Sequence, residues 1–284
     1  MTAASAIGSG APRRAQRRDD LARPLQSLAL VTAVLLGLPV LVLVVRAVAS
    51  GALVAAAGLE VVADALALSL VTTAISLVLM VVFGTPLALL LARRRFRGQA
   101  IVETIVDLPI ILPPSVAGLA LLLVFGRRGL LGESLAILGI ELPFTVIAVV
   151  IAQTFVAAPF FIRSARTGFA SVDHDLEDAA RVDGASEREL FRRITVPLAG
   201  TALAAGLVMS WARALGEFGA TIMFAGNIEG RTQTLPLVVY GEFQAGHLDA
   251  SIAAAAILVL AAFGVLVSVR LLQAGRVLDL RGAS

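Results

Sequence analysis

The sequence predicts an all-α integral membrane protein of about six transmembrane helices, on three observations. Of its 284 residues, 58% are hydrophobic and only 15% charged, and the mean hydropathy of +0.93 is above what a water-facing surface tolerates. The apolar residues are gathered into long runs that lack a polar face at helical or strand period. Those runs recur from residue 28 almost to the C-terminus and leave no room for a soluble globular unit, so one membrane domain is expected over 28–284.

Residues 1–27 are rich in Ala, Ser, Arg and Gly and are expected to be a disordered basic cytoplasmic tail. The run at 28–49 is 22 residues long, too long for a signal-peptide core, and should remain as the first span. Further spans are expected at 65–92, 101–125, 142–162, 198–225 and 248–272. The shortest, 21 residues, would extend roughly 30 Å as a helix, which matches the hydrocarbon thickness. Helices are required because backbone groups in lipid must be satisfied within the segment, and the runs are too continuous for the alternating strands of a barrel.

An even number of spans puts both termini on one side, and the arginines say which. All 23 basic residues are Arg, and 18 of them lie in the N-terminal tail, in the loops after the second and fourth spans, and at the C-terminal end. The other side holds only Arg46, Arg127, Arg128 and Arg231, so the crowded side is cytoplasmic. The sequence pI near 10.7 therefore reflects topology and not nucleic-acid binding. The absence of Lys excludes a phosphate-binding loop or a Schiff base, and the absence of Cys excludes thiolate metal sites and Cys nucleophiles. The two histidines, His174 and His247, fall on opposite sides, so no catalytic or metal site is expected.

Pro39, Pro86, Pro109, Pro113, Pro114 and Pro159 fall inside expected spans, where each removes a helix hydrogen bond and kinks or breaks the axis. The cluster within Asp107–Gly118, three prolines and an acid, is expected to face a pathway and not lipid.

The cytoplasmic loop at about 163–197 is patterned. Acids at its first helix start, Gly184 as its stop, and the capping-box spacing of Ser186 and Glu189 predict a helix, turn, helix module, with Pro197 at the junction to the next span. The string Asp178-Ala179-Ala180, three residues, Gly184, nine residues, Ile194, one residue, Val196-Pro197 resembles the EAA motif of permease subunits of binding-protein-dependent ABC importers. It departs in carrying Asp178 where Glu is usual and Val196 where Leu is frequent. The resemblance implies the type I importer permease fold and a coupling helix docked in a cleft of a cytoplasmic ATPase. ATP and Mg²⁺ then belong to that partner, an ATPase dimer, and this chain binds no cofactor and is not itself an enzyme.

Beyond the loop, Gly216-Glu217-Phe218-Gly219 continuing through Thr221 to Gly226-Asn227, then Thr232-Gln233-Thr234-Leu235-Pro236, looks like the molybdate permease branch of that family, as does 107–132. That branch implies import of molybdate or tungstate across the cell membrane, an extracytoplasmic oxyanion-binding protein, and a second, identical permease copy. Candidate pathway residues are Asp107, Pro113, Pro114, Arg213, Glu217, Thr221, Asn227, Thr232 and Thr234. Arg213 and Glu217, four apart, should share a helix face and neutralise each other at membrane depth. Neutral donors such as Thr221, Asn227, Thr232 and Thr234 suit transit of a dianion, because they replace water without trapping the ion. A sulfate or thiosulfate permease, whose family shares a related GEFG phrase, and an ion-coupled secondary transporter are the alternatives.

Overall fold

A computed structural model describes residues 13–57 and 60–282, with side chains over 25–56 and 60–267. The described residues form thirteen helices: α1 (Arg13–Ala49), α2 (Ala52–Ala57), α3 (Glu60–Arg93), α4 (Gln99–Ile111), α5 (Pro114–Phe125), α6 (Gly132–Ile137), α7 (Val146–Ala170), α8 (His174–Val182), α9 (Glu187–Leu198), α10 (Gly200–Leu215), α11 (Gly219–Phe224), α12 (Leu235–Gln244) and α13 (Leu248–Gly282). Of the tail expected over 1–27, residues 1–12 lie outside the described residues. From Arg13 the backbone is helical where disorder was expected, although only Leu25–Ala49 is apolar enough to cross.

Four helices have the length and composition of unbroken spans: Leu25–Ala49, Glu60–Arg93, Val146–Ala170 and Leu248–Val267. Two further spans are broken. α4 and α5 bend by 119° at Leu112–Pro113, and α9 and α10 bend by 71° at Ala199. The kink expected from the prolines within 101–125 is a full break, and the span expected at 198–225 is interrupted at Ala199 and again after Leu215. Pro114 starts a new helix at its first position, where a missing N–H costs nothing, and the fifth span stops at Leu215.

The bent pair α4–α5 still crosses. Glu103 and Asp107 of α4 meet Arg166 and Arg163 near the cytoplasmic end of α7, whereas Ala117 and Leu121 of α5 pack with Ala148, Val149 and Ala152 near its start. The described residues thus hold four spans, or up to six if each bent pair is one, and the chain is multi-pass.

α7 is the central helix. Its cytoplasmic half packs with α3 and α10 around Met80, Phe161, Ala165 and Phe169, and its outer half with α5 and α11 around Val149, Val156 and Phe224. α2, α12 and α13 close against the start of α3 through Val62, Leu235 and Ala253. The Leu25–Ala49 stretch of α1 lies outside this core, apolar and exposed over most of its length, as a lipid-facing helix is, with Ala47 buried near its end.

Lipid offers no hydrophobic drive between helices, so close packing of small residues and buried hydroxyls holds the bundle. A Cβ on Gly206 would lie 2.8 Å from Ser164 Cβ, and one on Gly168 would lie 2.7 Å from Ala202 Cβ, so α7 and α10 touch nearly backbone to backbone. Ser164 donates to Ala202 O (2.6 Å) and Ser210 to Ala157 O (3.1 Å) across the same seam. On α3, Ser69, Thr72, Thr73 and Ser76 form a buried polar stripe. Ser76 reaches Val150 O (3.2 Å) and Gln153 Oε1 (3.1 Å), and Ser69 accepts from the Leu235 N–H (2.8 Å).

The seam yields a prediction. Gly206→Leu should destabilise the bundle by about 1–3 kcal/mol through overpacking, while Gly200→Ala, with open space around its Cβ, should be neutral. Thermal unfolding in detergent followed by fluorescence of Trp211 checks this; equal midpoints for the two variants would refute the close approach.

Candidate functional site

Two regions carry functional geometry: the cytoplasmic loop module and the midplane junction of the two broken segments. In the module, Asp173 caps α8 by accepting the Asp175 N–H (3.0 Å). α8 ends in a turn at Gly184 with φ +90°, where the Gly184 and Ala185 N–H groups bond back to Arg181 O and Ala180 O. Only a residue without Cβ adopts that backbone without strain. Ser186 and Glu189 close the expected capping box in both directions (3.3 and 3.2 Å). The Ser186 backbone and hydroxyl hold the Glu189 carboxyl below its ordinary range, and Arg181 does the same to Glu187, whose hydrogen bond in turn raises the guanidinium.

The fixed point of the module is a buried ion pair that spacing along the chain does not reveal. Glu177 is 4% exposed. Its Oε1 accepts from Arg93 Nη2 (2.6 Å) at the end of α3 and from Thr195 Oγ1 (2.8 Å) in α9, and Arg93 Nη1 also donates to His174 Nδ1 (2.8 Å). Thr195 closes a π-helical turn over Phe191–Thr195, with the Val196 N–H bonded to Phe191 O. Pro197 follows at once. Its ring would clash with the carbonyl four residues back in a regular helix, and the widened turn relieves this. Leu190 is buried, and Phe191 packs on Phe169 of α7 with ring centroids 6.2 Å apart. The module is thereby tied to α3 and α7.

What stays uncovered on α8 and its turn is Asp178, Ala179, Gly184, Leu176 and Val182, the last two 52% and 87% exposed; Ala180 and Ile194 are half-buried. A short apolar face with small residues, held rigidly on the cytoplasmic side, is a surface that a partner groove can receive.

The break between α4 and α5 meets the turn at Gly216–Phe218 that separates α10 from α11. A Cβ on Gly219 would lie 2.6 Å from Pro114 Cβ and 3.1 Å from Ser115 N, and one on Gly118 would lie 2.7 Å from Ala220 O. Glu217, expected on the α10 face, lies beyond the helix end at Leu215. It is 1% exposed, accepts the Ala220 N–H (2.7 Å) at the start of α11, and still pairs with Arg213, whose side chain is 29% exposed. Pro113, Pro114, Ser115 and Val116 are exposed, and no side chain caps the first turn of α5. Uncapped backbone donors facing hydrocarbon would cost several kcal/mol each, so this edge must face water or protein.

The remaining candidates separate. Asp107 is not at the junction; both its oxygens pair with Arg163 (2.8 and 2.9 Å) on the cytoplasmic half of α7. Thr221 is buried in α11 with no partner for its hydroxyl. Thr232 accepts the Ile228 N–H (3.1 Å) in the outer loop, Asn227 is exposed there, and Thr234 is buried before α12. The buried stripe on α3 was legible as Ser69, Thr72, Thr73 and Ser76 at i, i+3, i+4, i+7 but was not read as a site. Among the described residues no group of three His, Asp or Glu is placed to hold a metal.

Residues 84–276 match the family model described as binding-protein-dependent transport system inner membrane component. The chain is 43% identical to the molybdenum transport system permease protein ModB of Mycobacterium tuberculosis, over 70% of this chain and 75% of that protein. Against the molybdenum transport system permease protein ModB of Escherichia coli it is 40% identical, over 62% of this chain and 78% of the relative. Among solved structures, a bacterial ABC transporter involved in the import of the polysaccharide alginate superposes with a TM-score of 0.71, covering 91% of this chain and 96% of that one at 18% identity, which shows a shared fold.

The buried pair generates a prediction. Arg93→Ala strands the Glu177 carboxylate and should cost about 3–5 kcal/mol locally. Trypsin should then cut at Arg181 or Arg188 at least roughly tenfold faster than in wild type, and Arg93→Ala/Glu177→Leu should recover much of the protection. Wild-type cleavage rates in Arg93→Ala would mean the pair does not anchor the module.

Proposed function

The chain belongs to the family of binding-protein-dependent transport inner membrane components, and from that premise we propose that it is the permease of a molybdate importer, with tungstate as a second cargo. It is a transport subunit without an ATPase site of its own. An ATPase dimer on the cytoplasmic face supplies hydrolysis, an oxyanion-binding protein delivers cargo from outside, and two copies of this chain enclose the pathway.

The observation that carries the mechanism is the meeting of the two breaks, Pro113–Pro114 and Gly216–Gly219, on an exposed edge of a single copy. Broken helices at mid-membrane present backbone groups and helix ends to a cargo. Because that edge cannot face lipid, a second copy facing the first would enclose it. Ser115, Glu217 with its partner Arg213, and Gly219 are then positioned at the pathway. Thr221, buried behind them, supports the wall, and Thr232, Asn227 and Thr234 belong to the outer mouth.

Force enters at the other end. Asp178, Ala179, Ala180 and Gly184 form the docking surface, and Ile194 and Pro197 hold the return helix. The Arg93–Glu177–Thr195 contact transmits closure of the ATPases into α3, and Phe191 on Phe169 transmits it into α7. A rigid-body movement of these helices shifts α10 and α4, and so opens or closes the junction of the breaks. The likeness to molybdenum permeases supports the cargo. The related GEFG phrase makes sulfate the competing reading.

Gly184→Asp should abolish ATPase stimulation and uptake while the chain still inserts, since Asp at φ +90° distorts the turn that shapes the docking face; normal coupling in this variant would refute docking through α8. In proteoliposomes, labelled molybdate uptake should be competed more strongly by tungstate than by sulfate. The reverse order would assign the pathway to sulfate.

A further inference from the structure

The cytoplasmic end of α3 borders a cavity of about 610 Å³ whose other walls are α8 and α9. Its lining divides by chemistry. Pro86, Leu89, Leu90 and Phe191 make an apolar side, and Arg93, Arg94 and Arg181 with Glu177 and Glu187 make a charged one. Both carboxylates are already engaged: Glu177 holds Arg93, and Glu187 holds Arg181, which also meets Asp178. Arg94 is exposed and has no acid in ion-pair range among the described residues. The cavity thus keeps one uncompensated positive charge, and Arg95 and Arg97 follow, exposed, in the loop beside it.

Leading into the cavity is a strip of α3 that the described residues leave uncovered. Phe83 is 71% exposed and Leu90 44%, with Pro86 exposed between them. Spacings of three and four put these residues on one helix face, and Arg94, whose N–H still bonds Leu90 O (3.0 Å), continues that face by one turn. The strip therefore passes from hydrocarbon straight to a guanidinium at the membrane surface. The topology signal requires arginines on this side of the membrane, but it does not require a cavity with one apolar and one cationic wall. Docking of an ATPase does not account for it either. His174, Glu177 and Arg181, at i, i+3 and i+7 on α8, line the cavity, while Leu176 and Ala179 lie on the opposite face, the one left open for docking.

Resting on the importer reading above, which sets this end of α3 at the inner leaflet, we propose that the cavity binds an anionic phospholipid, with its phosphodiester on Arg94 and an acyl chain along Phe83, Pro86 and Leu90. A guanidinium grips phosphate oxygens through paired hydrogen bonds, and a basic pocket beside a span on the cytoplasmic side suits such a headgroup. A zwitterionic lipid carries its own ammonium, which competes with Arg94 for the phosphate and weakens binding. The apolar wall favours a lipid over a free phosphate, which would leave Pro86, Leu89 and Leu90 with nothing to bury. The bound lipid touches the end of α3 and α8 at once, because Arg94 belongs to the first and Arg181 to the second. It adds a bridge beside the Arg93–Glu177 contact and so stiffens the path by which ATPase closure reaches α3.

The test uses the importer complex with its ATPase. Native mass spectrometry, with phosphatidylglycerol titrated into the detergent-solubilised complex, should show a retained lipid whose apparent affinity falls roughly fivefold in Arg94→Gln. Arg97→Gln, in the same loop but outside the cavity, should stay within about twofold of wild type. In nanodiscs, ATPase activity stimulated by the loaded binding protein should rise about twofold when phosphatidylglycerol replaces phosphatidylcholine, and Arg94→Gln should blunt that rise while unstimulated activity is unchanged. Equal lipid affinity in Arg94→Gln and wild type overturns the site. So does an equal loss in Arg97→Gln, because the whole basic loop would then attract the membrane diffusely. Displacement of the lipid by soluble glycerophosphoglycerol at comparable concentration assigns the cavity to a free phosphodiester and overturns the lipid. A rise with phosphatidylglycerol that Arg94→Gln keeps in full overturns the bridge to the ATPase path. Lipid retention is read without cargo, so a wild-type complex that holds the lipid as expected but is not stimulated by the loaded binding protein supports the site and overturns the transport reading alone.

Discussion

Every peptide group in the hydrocarbon must be hydrogen-bonded, and the architecture around the site follows from two places among the described residues where a helix is interrupted outright and leaves that rule unmet within it. The α4–α5 break loses bonds to Pro113 and Pro114, and the chain also breaks between α10 and α11, at Gly216–Phe218. Each break covers part of the other. Gly219 has no side chain, so the backbone at Pro114 and Ser115 can approach it, and Glu217 turns back to bond the first turn of α11. What the contact does not cover remains on the surface of one copy. A surface of that kind demands water or protein beside it.

The rest of the bundle positions that junction and links it to the cytoplasm. α3 has 34 residues, about 50 Å of helix, longer than the bilayer core is thick, so its last turn carries Arg93 beyond the hydrocarbon to Glu177. α7 meets nearly every other core element, with Phe161 and Phe169 inside one cluster and Val149 and Val156 inside another. Small residues at the α7–α10 seam bring the backbones together, which makes the pair move as one body. A displacement applied to α8 thus has a stiff path upward, through an ion pair on one side and an aromatic contact on the other.

Much of the local structure was legible because its causes are local. The acids before α8, the Gly184 turn and the Ser186–Glu189 box each involve groups within a few residues, and each forms as the spacing implies. The pairing of Arg213 with Glu217 was also legible, but its geometry was not: a helix face was expected, and the chain breaks between the two residues. Asp107 read as a pathway acid because it sits among prolines, yet Arg163 neutralises it on the cytoplasmic half of α7. The size of the break within 101–125 was not legible either, although its prolines marked a kink. Hydropathy averages over a window and is blind to a 119° bend inside it.

By itself the sequence determined where the apolar segments lie and the small helix, turn, helix module after α7, since hydropathy and capping act within a segment or between a segment and its solvent. Tertiary structure alone decided which breaks face each other, which acid is buried and which arginine meets it. Arg93 and Glu177 are 84 residues apart, so no periodicity or spacing records their meeting. The bilayer specifies what each helix must satisfy and leaves open which neighbour satisfies it, and packing of small residues against one another makes that choice.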